Sequence, residues 1–198
     1  MSTTTTAAGT RTVDGVEVPQ PGTYVFDDAH TSIEFTGKHM MISKIRGRFE
    51  DFSGQIVVDE DPSRSGAEVE IKAGSLSTRN EQRDGHLRSP DFLDVEAYPV
   101  ISFSSNRLEH AGGNRWKAFG SLTVRDITKD LVLDVEFGGM ARSPFGQTIA
   151  FFSGSVELDR EEFGMTWNQA LEAGGWLVGK KVRIEIETEA ILQEDETV

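Results

Sequence analysis

The chain of 198 residues contains no cysteine. That absence excludes disulfides, thiolate metal sites and cysteine nucleophiles together. Basic residues are scarce as well: 20 Lys and Arg stand against 33 Asp and Glu, for a formal net charge of -13. Such a charge works against nucleic acid and anionic membrane surfaces as electrostatic partners, and solubility is its plain consequence. No apolar run approaches the ~20 residues a helix needs to cross a bilayer, so no membrane span is expected. Residues 1–9 are Thr/Ala-rich, with no lysine and no apolar core, so they lack the marks of a secretory leader and the chain reads as cytoplasmic. Also missing are a Gly-x-Ser-x-Gly elbow, a phosphate-binding Walker loop and a dinucleotide fingerprint.

Helical periodicity is confined to one place. Residues 78–94 exchange alternation for caps, charges and a proline stop, which predicts a short helix at about 79–89. Thr78 and Glu81 have the spacing of a capping box, Asp84 and Arg88 stand at i,i+4, and Pro90 closes the element. Arg79, Arg83 and His86 project from a neighbouring face. Gly85 costs roughly 1 kcal/mol relative to Ala in mid-helix, which implies close approach of another backbone or a ligand. The helix is expected to cap the mouth of a sheet or barrel, with Phe92 and Leu93 tucked under its far end.

From residue 22 onward, short segments alternate at the strand period. Segment 32–38 sets Ile33 and Phe35 against Glu34 and Thr36, and 46–52 carries Phe49. Val69 and Ile71 oppose Glu68, Glu70 and Lys72, while Leu131, Leu133, Val135 and Phe137 share one face of 129–137. Gly54 and Gly138-Gly139 read as strand breaks. About eight or nine such strands imply a closed antiparallel barrel or a two-sheet sandwich, and the barrel is favoured because closure removes exposed edges. An eight-stranded barrel can be filled by side chains or can hold one small apolar ligand, and the phenylalanines suit either. Before the domain at 22–193 stands an extension, 1–21: 2–8 is low-complexity and expected to be disordered, and Asp14-Gly15 between valines predicts a hairpin at 11–18. Incomplete closure at the last strand would leave an edge for a homodimer.

Four histidines, His30, His39, His86 and His110, are the softest ligands, and none stands at metal-ligand spacing with another. A metal site would need the fold to gather His30, His39 and His86. Asp84 and His86, two apart on a helix, do not face one another, which makes a proton-transfer dyad geometrically poor.

Several segments together resemble the YceI-like polyisoprenoid-binding proteins. They are Asp28-Ala29-His30-Thr31-Ser32-Ile33-Glu34-Phe35, Gly47-Arg48-Phe49 with Phe52-Ser53-Gly54, Arg83-Asp84-Gly85-His86-Leu87-Arg88-Ser89-Pro90-Asp91-Phe92-Leu93-Asp94, Tyr98-Pro99, Gly120-Ser121-Leu122-Thr123, and Arg160 with Phe163-Gly164. The resemblance implies an extended, eight-stranded antiparallel lipocalin-like barrel, capped by a helix, whose tunnel takes a long isoprenoid or similar amphiphile. It further implies a non-enzymatic carrier, storage or sequestering protein, with no cofactor beyond a bound lipid such as a prenyl phosphate or a quinone. Under the resemblance the tail would meet Ile33, Phe35, Phe49, Val69, Ile71 and Phe103 from the first half of the chain. Leu122, Leu131, Leu133, Phe137, Trp167 and Ile184 would meet it from the second half. The head group would lie at the mouth among His39, Asn80, Arg83, Asp84 and His86. Two rivals stand beside it: a lipid-acting enzyme using Asp84 and His86, and a filled barrel acting as a stress or interaction protein. The chain departs from the pattern in lacking the secretion signal of many relatives, and in reading Asp126-Ile127-Thr128-Lys129-Asp130 where Gly-Val-Thr-Lys-Pro is usual.

Overall fold

Asp14 and Gly15 take φ of 51° and 82°, the left-handed pair that a two-residue hairpin turn requires, and β1 (Thr10–Val13) folds back on β2 (Val16–Pro19). Arg11 anchors this ribbon to the rest of the protein by donating to the carbonyls of Asp59 and Glu60. The computed structural model describes residues 9–172 and 174–193, so the stretch 2–8 lies outside the described residues.

β3 (Gly22–Phe26) and β4 (Ser32–His39) form one interrupted strand along β13 (Val178–Leu192). β5 (Ser43–Phe49) and β6 (Phe52–Val58) repeat that pattern, as do β7 (Gly66–Lys72) and β8 (Leu76–Ser77). β9 (Val100–Gly112), β10 (Arg115–Val124), β11 (Ile127–Arg142) and β12 (Thr148–Asp159) follow in order, and β12 pairs with β13. The result is a closed antiparallel barrel of 8 strands in which each neighbour in sequence is a neighbour in space and the last meets the first.

Two expected breaks fall elsewhere. The first interruption comes at Glu50-Asp51, and Gly54 sits inside β6 because a Cβ there would lie 2.5 Å from Cε2 of Phe26. The strand also runs through Gly138-Gly139 by way of a bulge after Phe137, with Gly139 at φ 107°.

The crossover between β8 and β9 carries α1 (Glu81–Arg88), shorter than expected. Its N-cap is Asn80, whose side-chain oxygen accepts from the Arg83 N–H at 2.9 Å, so the capping box expected at Thr78 and Glu81 does not form. Thr78 is turned inward and serves Asp84 instead, because Arg79 takes φ 60° and swings the chain. Gly85 faces open space: a Cβ there would meet nothing within 4 Å, which corrects the close approach expected at that position.

One end of the barrel interior is filled. Tyr24, Phe26, Val58, Phe137, Ala150 and Ala190 are buried there, and the Phe137 and Phe152 rings lie 5.5 Å apart. The Tyr24 hydroxyl donates to the Gln20 carbonyl at 2.8 Å, and burial pushes its pKa up to about 12. The end under α1 is hollow.

Candidate functional site

The hollow end is a cavity of about 630 Å³. Strand alternation builds its wall: Phe35 on β4, Val69 and Ile71 on β7, Phe103 on β9, Leu122 on β10, Leu131 and Leu133 on β11, and Val182, Ile184 and Ile186 on β13 all line it. Ile33, 1% exposed, lines the cavity and belongs to the buried core. Phe49 sits beside Phe35, ring centroids 5.5 Å apart. Phe137 is the exception among the expected tail contacts. It belongs to the buried core yet lies beyond the cavity, against Phe152, because alternation fixes which face a residue takes and not its depth.

All the polar side chains lining the cavity come from its α1 end: Lys38 and His39 at the tip of β4, Asn80, Gln82, Arg83 and His86 at α1, and Arg160 in the 3-10 turn Arg160–Phe163. No Asp or Glu lines it among the described residues. Lys38, Asn80 and Gln82 are exposed and line the cavity at once, so it reaches the surface between α1 and the β4–β5 tip.

Each mouth residue is held by a specific local contact. Arg83 clamps the start of α1 by donating from Nε to Thr78 Oγ1 at 2.6 Å and from Nη2 to the Thr78 carbonyl at 3.0 Å. Arg88 fastens the other end to the carbonyls of Gly74 and Leu76. That contact replaces the expected Asp84–Arg88 pair. His86 meets Asp91 at 2.9 Å and lies edge-on to Trp167, centroids 4.5 Å apart, and to Phe92 at 5.0 Å. These three rings form the underside of the cap.

Asp84 was expected at the mouth and is not there. It is 6% exposed, does not line the cavity, and accepts from the Thr78 N–H at 2.9 Å and from the Thr78 hydroxyl. Asp84 and His86 therefore serve different partners, and no proton-transfer dyad is assembled.

Arg160, which enters the family pattern with Phe163-Gly164, is 3% exposed in the cavity wall. It donates to the Gly179 carbonyl at 3.0 Å and to the Met165 carbonyl, tying the turn to β13, while its guanidinium lies 5.7 Å from the Phe92 ring centroid. Burial lowers its pKa, and its Nη2 has no hydrogen-bond partner among the described residues. A cation directly after a strand that ends in Asp159 was the one sequence signal for it.

The fold separates the histidines. His39 and His86 are at the cavity, whereas His30 contacts Asp27 at 2.8 Å beside Glu189 near the filled end. The Asp27 carboxylate raises the His30 pKa, first by hydrogen bonding and then by charge, with Glu189 adding to the effect. A raised folded-state pKa stabilises the fold below the ordinary histidine value, and that contribution is lost as pH rises through the raised one. An NMR titration is expected to place His30 above 6.5 in the native protein and lower in Asp27→Asn. An unmoved midpoint would refute the coupling.

Comparison with known proteins bears on what this cavity belongs to. The family model for the YceI-like domain matches residues 24–190. The chain belongs to the YceI-like family. It is 36% identical over 173 residues to a UPF0312 protein of Staphylococcus aureus strain USA300, covering 86% of this chain and 98% of that protein. Among solved structures, the YceI protein of Campylobacter jejuni is 32% identical with a TM-score of 0.67, over 79% of this chain and 90% of that one. A polyisoprenoid binding domain from Saccharophagus degradans shares the fold at 12% identity and TM-score 0.62, covering 88% of this chain and 100% of that one. YceI-like barrels thus account for the strand order, the closure and the one α-helix among the described residues.

Proposed function

We propose that this YceI-like protein binds one amphiphilic lipid and acts as its carrier or sequestering protein. The tail, isoprenoid or similar, lies in the hollow half of the barrel, and an anionic head of phosphate or carboxylate type lies among Lys38, His39, Arg83 and His86. The observation that carries this reading is the lining: an apolar wall with cations and neutral polar groups at one end, and no carboxylate, in a chain of net charge -13. Between a prenyl phosphate and a quinone, that lining favours the phosphate.

The floor at Ile33 limits the tail. Cavity residues on β13 run from Val178 to Ile186, a path of roughly 26 Å at the strand rise, and strand tilt shortens it to a depth of about 20 Å. A volume of 630 Å³ falls within the range of pockets that enclose one small ligand, so the cargo is one short-tailed molecule or the leading part of a longer one. Burial of ten methylenes contributes about 8 kcal/mol before ordering costs, enough to hold a lipid without a covalent bond.

Native mass spectrometry of protein purified from its own source tests the proposal, with organic extraction to identify what is released. One stoichiometric amphiphile bearing an acidic head is the expected result. A neutral cargo would overturn the head-group assignment, and protein that stays empty when offered prenyl phosphates and fatty acids would overturn the carrier reading.

A further inference from the structure

The chain-wide charge conceals one stretch of opposite sign. Acidic residues make up 33 of the 198, yet residues 35–49, which include most of the β4–β5 hairpin, carry Lys38, Lys44, Arg46 and Arg48 and no Asp or Glu. Arg48 is engaged by Glu50, while Lys38, Lys44 and Arg46 make no ion pair among the described residues. The tip of this hairpin is apolar and turned outward: Met40, Met41 and Ile42 are 49%, 54% and 87% exposed. Trp176, 51% exposed, stands on the adjoining loop. These four are half of the exposed large apolar side chains among the described residues.

The patch is built, not frayed. Met40 and Met41 hold φ of 50° and 63°, the Met40 N–H donates to the Leu177 carbonyl at 2.8 Å, and the Met41 side chain lies against Gly175. It is also continuous with the cavity, since His39, Leu177 and Val178, next to these residues in sequence, line it.

We propose that the β4–β5 tip and Trp176 dock the barrel mouth on the surface of an anionic lipid bilayer. Ile42 and the two methionines enter the boundary of the acyl chains, Trp176 lies at headgroup level, and Lys44 and Arg46 meet lipid phosphates. The remaining negative charge of the protein is repelled by the same surface, so only this end can approach it, which brings the cavity opening to the membrane. Docking concerns a surface outside the cavity and does not depend on the identity of the cargo.

The test is co-sedimentation of the full chain with vesicles of phosphatidylcholine alone and of phosphatidylcholine mixed equally with phosphatidylglycerol. Binding to the mixed vesicles is expected, weakening as salt is raised. Ile42→Asp should weaken it about tenfold or more, and Lys44→Glu with Arg46→Glu, at exposed residues outside the cavity lining, by a comparable factor. Phe145→Asp, at an equally exposed apolar residue beyond the filled end, should leave it unchanged. Because Ile42 and Phe145 project into solvent, both variants are expected to melt as the parent does, and uptake of a fatty acid in vesicle-free solution checks the cavity separately. No vesicle binding by protein that still takes up fatty acid would overturn docking and leave the cavity reading intact. Equal binding by all variants would overturn it too, as would self-association through the tip, detected by sedimentation, in place of vesicle binding.

Discussion

Phe103→Asp is expected to abolish lipid uptake, lowering affinity at least about a hundredfold, or roughly 3 kcal/mol. Phe103 on β9 lines the cavity between two residues that do the same, Val69 across β7 and Leu122 across β10. A carboxylate there must bring water into the cavity or take up a proton at a cost, and either displaces tail contact. Loss of four methylenes' worth of burial already accounts for the stated factor. Glu185→Ala on the outer face of β13, where Glu185 is exposed and paired with Arg183, should bind as the parent does. Since a buried carboxylate also threatens folding, Leu133→Trp provides a second route: it fills the cavity with apolar volume and should weaken binding without adding charge. Parent-like affinity in both cavity variants, measured by titration with a fluorescent fatty acid, would refute the location of the site.

The barrel could be read from the sequence because a wall with one apolar face writes itself as alternation. Val69 and Ile71, or Leu131 and Leu133, declare their shared face with nothing else known. Depth along the barrel has no such signature. Leu133 and Phe137 occupy equivalent positions of the same alternation, yet one lines the cavity and the other packs on Phe152. Glycines misled for a related reason: Gly54 looks like a strand break in one dimension, while its role is to make room for the Phe26 ring from a neighbouring strand. Polar residues of the crossover were the hardest. Spacing pairs Asp84 with Arg88, but a left-handed Arg79 rotates Thr78 under the helix and captures the carboxylate, an outcome set by one backbone angle. The mouth cations Lys38 and Arg160 sit on different segments of the chain and become neighbours of one cavity only through closure.

Asp84→Ala is expected to cost about 3 kcal/mol and to lower the melting temperature by roughly 6–12 °C. The carboxylate, 6% exposed, accepts both the N–H and the hydroxyl of Thr78, itself 7% exposed, so its removal strands two buried donors at once. Arg83 also holds Thr78, and the three side chains form a single fastening for the first turn of α1. An eight-residue helix with a glycine at Gly85 has little stability of its own, so attachment rather than propensity keeps it in place. Hydrogen exchange across residues 81–88 should therefore accelerate in Asp84→Ala, more than in β13. Asp84→Asn retains an acceptor of the same shape and should cost less. The same variants separate fastening from catalysis, because Asn would disable a proton donor as completely as Ala does but would preserve most of the hydrogen bonding. Equal melting of Asp84→Ala and the parent would refute the fastening. If it holds, Asn80, Gln82, Arg83 and His86 owe their position over the cavity to one carboxylate that never reaches it, and Asp84→Ala should release cargo faster while its apolar wall is untouched.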